Sequence, residues 1–97
     1  MKRRGGRAVI LIAFDSTQQA LRAEMLLEYA DIEIDIRPTP KEITAGCALS
    51  IEFPEPDFPL AKEVIEGQQV EIRGFFRKFD NGYKEIDRQG ERNLNDE

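Results

Sequence analysis

Cys47 is the single thiol in a chain of 97 residues that contains no histidine. The run leading to it reads Arg37-Pro38-Thr39-Pro40-Lys41-Glu42-Ile43-Thr44-Ala45-Gly46-Cys47. A proline-stiffened loop thus delivers one soft nucleophile to the start of an apolar strand. Covalent chemistry in this chain would run through thiolate attack by that sulfur. Without histidine, Ser-His-Asp and Cys-His mechanisms are excluded within one monomer. A lone cysteine forms no internal disulfide, which fits a reducing compartment, and builds no thiolate zinc site by itself. No cofactor and no metal are expected. Gly5-Gly6 is not a phosphate loop, because no Gly-Lys-Ser/Thr follows it.

Composition sets the frame. Forty percent hydrophobic and 34% charged residues describe an ordinary globular protein of one domain. No apolar run approaches the ~18 residues of a membrane span. Residues 1–7 are basic, but the apolar stretch after them is too short and wrongly flanked for a signal peptide. The expected location is cytoplasmic. Net charge is −5, with Lys2, Arg3, Arg4 and Arg7 concentrated in the leader and an acidic body behind them. Such a body repels phosphate backbones, so nucleic-acid binding is not expected.

The elements that must position Cys47 follow from periodicity. Ala8–Phe14 is a continuous apolar run, read as a strand at the centre of a sheet. Ser16 with Gln19 is a capping-box pattern opening a helix to about Tyr29 or Ala30. Its Ala20, Ala23, Leu27 and Ala30 share the inward face. Ile32–Arg37 alternates apolar and charged, predicting a second strand that Pro38 and Pro40 end. Leu49, Ile51 and Phe53 mark a third strand. Asp57 and Pro59 open a second helix that stops at Gly67. Val70, Ile72 and Phe76 read as a fourth strand with a bulge at Gly74. Asn81-Gly82 signals a tight turn that could fold Tyr83–Ile86 back as a short extra strand. The predicted organisation is a basic flexible leader (1–7), one αβ-sandwich domain (8–79), and a turn, short strand and flexible polar tail (80–97). The order βαββαβ predicts an α+β, ferredoxin-like two-layer sandwich with an antiparallel sheet.

With the usual strand order of that fold, 4-1-3-2, as a premise, the start of strand 3 adjoins the end of strand 1. Cys47 would then meet Ser16 and Thr17 at the start of the first helix, where unpaired N–H groups and the helix dipole favour a thiolate. Arg37 and Lys41, if turned inward, would add to this, and Asp15 would oppose it. The amides of Gly46, Ser16 and Thr17 could form a small anion nest. Strand parity supports a different outcome. Residues 47, 49, 51 and 53 point one way, so Cys47 could equally be an inert core residue.

The segment Phe14-Asp15-Ser16-Thr17, with Ala20 and Ala23-Glu24 behind it, resembles the first block of a small bacterial family described as selenium/sulfur carrier protein-like. Ile36-Arg37-Pro38-Thr39-Pro40-Lys41-Glu42-Ile43, closely followed by Cys47, resembles its second and more specific block. The likeness covers roughly residues 8–79. The family pattern has serine-cysteine-glycine where this chain has Gly46-Cys47-Ala48. The resemblance implies that Cys47 carries sulfur or selenium as a persulfide or selenosulfide between donor and acceptor proteins. Ser16, Thr17, Arg37, Pro38, Thr39, Pro40, Lys41 and Gly46 would form the supporting loops. Glu24 would reach back toward this edge, or else lie on an exposed flank of the helix. Lys41-Glu42 is either a docking contact or a solvated turn. Phe75, Phe76 and Phe79 read as core with one exposed ring. A carrier needs one reachable thiol, no metal and no second cysteine to resolve its cargo. The alternative is a non-catalytic ferredoxin-like binding or regulatory module in which Cys47 is structural. Neither is a classical enzyme. The charged edge of the second strand leaves room for a homodimer while discouraging it.

Overall fold

A computed structural model describes residues 8–86. The basic leader at 1–7 and the polar tail beyond residue 86 lie outside the described residues. Five strands and two α-helices follow in the order β1 (Val9–Ala13), α1 (Thr17–Tyr29), β2 (Asp35–Pro38), β3 (Leu49–Pro54), α2 (Phe58–Gly67), β4 (Gly74–Phe79) and β5 (Gly82–Ile86). A single 3₁₀ turn, Glu55–Asp57, links β3 to α2. The class is α+β, and all four strand pairings are antiparallel. The sheet order is β2-β3-β1-β4-β5, the four strands of the expected core together with the short extra strand signalled by Asn81-Gly82. The extra strand closes a hairpin on the outer edge of β4, with Phe79 paired to Gly82. Its turn centres on Asp80-Asn81, one residue earlier than the sequence predicts. Gly82 follows at φ +143°, a conformation that side chains rarely adopt.

β1 is buried because both of its faces are covered. Ile10, Ile12 and Phe14 point at the helices and join Ala20, Ala23 and Leu27 of α1 and Ala61 and Ile65 of α2 in one cluster. The alanines let α1 approach the sheet closely. Leu11 and Ala13 point the other way, and Ile43 from the β2–β3 loop packs on them with Phe76 and Tyr83 at the margin.

Two predicted strands are shorter than expected, for one shared reason. Each helix ends with a residue in the left-handed region, Asp31 at φ 67° and Gln69 at φ 56°. After α1, the Asp31 N–H donates to the Glu28 carbonyl and the Ile32 N–H to the Leu27 carbonyl. After α2, Gln69 donates to Glu66 and Val70 to Ile65 in the same pattern. These are Schellman caps, in which the second residue past the cap packs its apolar side chain back on the helix. Ile32 and Val70 are therefore buried cap residues, not strand residues. β2 begins at Asp35 and β4 at Gly74. Gly74 pairs with Ala13 at the head of its strand rather than forming a bulge. α2 ends at Gly67 as the sequence predicts, but Gln69 is the residue that turns the chain.

Glutamine has a Cβ that the left-handed region penalises by about 1 kcal/mol. Gln69→Gly is therefore expected to raise stability by about 0.5–1 kcal/mol, read as a higher urea midpoint at unchanged slope. A lower midpoint would mean that the Gln69 side chain contributes more than its backbone conformation costs.

Candidate functional site

Cys47 lies at the junction between the β2–β3 loop and β3. Its backbone is fastened on both sides. The Cys47 N–H donates to the Phe14 carbonyl at 3.0 Å, and the Cys47 carbonyl accepts from the Thr39 hydroxyl at 3.0 Å. The sulfur is contacted by the Thr17 hydroxyl at 3.3 Å, where either group can donate. The Leu49 N–H donates to it at 3.4 Å. Thr17 is the first residue of α1, and Ser16 caps that helix by accepting from the Gln19 N–H. The first strand, first helix and third strand thus meet at the sulfur.

The same sulfur is a core atom. Cys47 is 3% exposed and belongs to the cluster beneath the helices. Its neighbours Gly46 and Ala48 and the contacting Thr17 are exposed, so it lies one layer below the surface.

Thr39 ties the loop together. Its N–H donates to the Ala48 carbonyl at 2.8 Å, and its hydroxyl shares a 2.7 Å hydrogen bond with the fully buried Ser50. Periodicity could not flag Ser50, a small polar residue on the strand parity that points away from the helices. Pro40 turns the chain, its carbonyl accepting from the Ile43 N–H. Lys41 and Glu42 occupy the exposed turn between them.

Gly46 has a steric role. A Cβ there would stand 2.7 Å from the Asp15 carbonyl oxygen. Its N–H donates to Asp15 Oδ1 at 2.8 Å, and Asp15 Oδ2 stands 3.9 Å from Arg73 Nη1. The expected nest is therefore corrected: the Gly46 amide is already taken by a carboxylate, and Asp15 holds the loop rather than merely opposing charge on the sulfur. Arg37 is also corrected. It points to the face away from the helices and pairs with Glu52 at 3.6 Å, because alternation places it opposite Ser50 on β3. Pro38 ends β2 opposite Leu49. Glu24 is partly buried on α1. Gln19 does not complete a capping box. Its side chain accepts from the Glu71 N–H at 3.0 Å, tying the start of α1 to the loop before β4. Among the described residues, no group of His, Cys, Asp and Glu side chains could hold a metal ion. None of their helices is long and apolar enough to cross a membrane.

The family described as "Putative Se/S carrier protein-like" matches over residues 10–77. The chain belongs to that family. The match runs from β1 into β4 and leaves β5 outside it. No curated protein and no solved structure matches the chain. The closeness of the Asp15 carbonyl leaves this chain no room for a side chain at position 46.

The face of the sheet away from the helices carries a hollow of about 320 Å³, lined in part by Val9, Asp35, Arg37, Glu52 and Lys78. A second hollow of about 350 Å³ abuts Asp15, Ser16 and Glu71. Cys47 lines neither. Near the first, the Tyr83 phenol is pushed above its ordinary 10.0, first by burial and then by Glu52 and Glu42, against a lowering by Arg37.

Gly46→Ala is expected to cost about 1–3 kcal/mol, because backbone must shift to admit the methyl group. Urea unfolding measures it, and an unchanged midpoint would show that the loop yields freely. Tyr83 supplies a pH expectation. A phenol held neutral by the fold contributes stability that is complete below about pH 10 and is lost as pH rises through the raised folded value. Ultraviolet titration should show one tyrosine ionising late, and Glu42→Gln should bring it earlier. A titration unmoved by that substitution would remove Glu42 as a cause.

Proposed function

We propose that this protein carries sulfur or selenium on Cys47, as a persulfide or selenosulfide, between a donor and an acceptor protein. The supporting observation is the position of the sulfur, against the first turn of α1 with Thr17 Oγ1 at 3.3 Å and the Leu49 N–H at 3.4 Å, in a chain of a Se/S carrier-like family. In loading, the Cys47 thiolate attacks the outer sulfur of a donor persulfide, R–S–SH. The new S–S bond forms as the donor S–S bond breaks. The donor leaves as R–S⁻, the terminal sulfur keeps its proton, and no electrons are gained or lost overall. A donor R–S–SeH gives the selenosulfide by the same displacement. The absence of a second cysteine protects the cargo, since a neighbouring thiol would expel it as it closed a disulfide. The chain acts as a carrier, not as a classical enzyme.

Burial adds a step. Gly46 and Ala48 must open locally for a donor to meet the sulfur, a motion of a few fastened residues rather than of the fold. The frame is read as a ferredoxin-like sandwich, in which β4, β1, β3 and β2 stand in the 4-1-3-2 order and β5 is an addition. The cytoplasm is the compartment in which a lone thiol stays reduced.

The near-complete burial of Cys47 favours a second reading, a non-catalytic binding or regulatory module in which the thiol only packs. Incubation with a cysteine desulfurase and cysteine or selenocysteine, which load the enzyme's own thiol as R–S–SH or R–S–SeH, separates the two. The carrier is expected to gain the mass of one sulfur or selenium atom on Cys47, and Cys47→Ser none. If a control carrier loads and this protein does not, the carrier proposal fails. A Cys47→Ser protein that keeps all partner binding and cellular activity would favour the module.

A further inference from the structure

Helix α1 exposes an apolar line on the side away from the core. Leu21 is 54% exposed, Met25 66% and Tyr29 92%. They follow Thr17 at four-residue steps, which on an α-helix places them along one slowly winding line. The head of that line is the residue whose hydroxyl touches the Cys47 sulfur. Three large apolar side chains aligned in water on one helix are the usual mark of a contact surface, and methionine and tyrosine are enriched in such contacts.

The surrounding charge selects the occupant. Glu24 and Glu28 stand three residues beyond Leu21 and Met25 and rim the line on one flank. Asp31 is exposed just past the end of the helix. The one cation of α1, Arg22, turns to the opposite flank and donates to the Gln68 carbonyl at 2.8 Å. An acidic rim repels an anionic lipid surface. It also repels a second copy of this chain, whose net charge is −5.

We infer that the line Leu21–Met25–Tyr29 is the docking surface for the protein that donates sulfur to Cys47, a partner that meets it with an apolar groove rimmed by lysine or arginine. The inference rests on the carrier reading of Cys47. Docking along α1 would bring the donor's persulfide to the Thr17 end of the helix, where Gly46 and Ala48 cover the thiol. A small persulfide needs no such surface.

The test compares two donors on the full chain, with the initial rate of Cys47 loading read by intact-protein mass. One donor is glutathione persulfide, the other a persulfide-loaded cysteine desulfurase. Met25→Glu, at an exposed site, is expected to slow loading from the desulfurase by at least about tenfold. Its loading from glutathione persulfide should stay within about twofold, since surface substitutions rarely disturb the fold. Glu28→Lys should give a smaller loss from the desulfurase that disappears at high salt. Equal rates for wild type and both variants with both donors would overturn the docking line while leaving Cys47 a carrier. A Met25→Glu loss that is equal with both donors would also overturn it, since the substitution would then be acting on the thiol. Loading of the wild type by glutathione persulfide alone would again overturn the docking line. Loading by neither donor would overturn the carrier reading itself.

Discussion

Leu11 and Ala13 lie on the face of the sheet that no helix covers, yet both are fully buried. A strand as apolar as β1 must be shielded from water on two sides, and the two helices shield one. The loop between β2 and β3 supplies the other cover by laying Ile43 across Leu11 and Ala13. Having crossed that face, the chain must return to the sheet as β3, and it does so at Cys47. The position of the thiol is thus a by-product of keeping β1 dry. The prolines shape the path, Thr39 and Ser50 close its base, and Asp15 pins its far end at Gly46.

Elements whose local chemistry agrees with the tertiary environment were legible in the sequence. The apolar run of β1, the serine cap and alanine face of α1, and the alternation of Ile51 and Phe53 each carry their own period. Ile32 and Val70 looked like strand residues because they are β-branched and spaced in step with true strand positions. Their place is set instead by helix caps whose left-handed residue is aspartate or glutamine, so the glycine that usually advertises such a cap is absent. No pattern marks Ile43 as a lid either, since a single apolar residue in a polar loop has no period.

The site was legible in part. Adjacency between Cys47 and the first turn of α1 followed from the topology, and the structure brings Thr17 to the sulfur. The orientation of charges did not follow. Arg37 belongs to the far face because strand parity, not charge attraction, aims its side chain. Asp15 looked like a repulsive neighbour from the sequence. Only the geometry reveals that its carboxylate satisfies a backbone amide, a partnership that depends on an ångström-scale approach of two loops.

The double fastening of Cys47 has a mechanical meaning. Its N–H is held by the Phe14 carbonyl and its carbonyl by the Thr39 hydroxyl, so while those bonds stand the main chain on either side of the sulfur does not sweep. Whatever is attached to Sγ can change direction only by turning about the Cα–Cβ and Cβ–Sγ bonds. Flexible-arm carriers take their cargo to a distant partner. A thiol on so stiff a stem has almost no reach of its own, so any exchange at this sulfur requires the other molecule to travel the remaining distance.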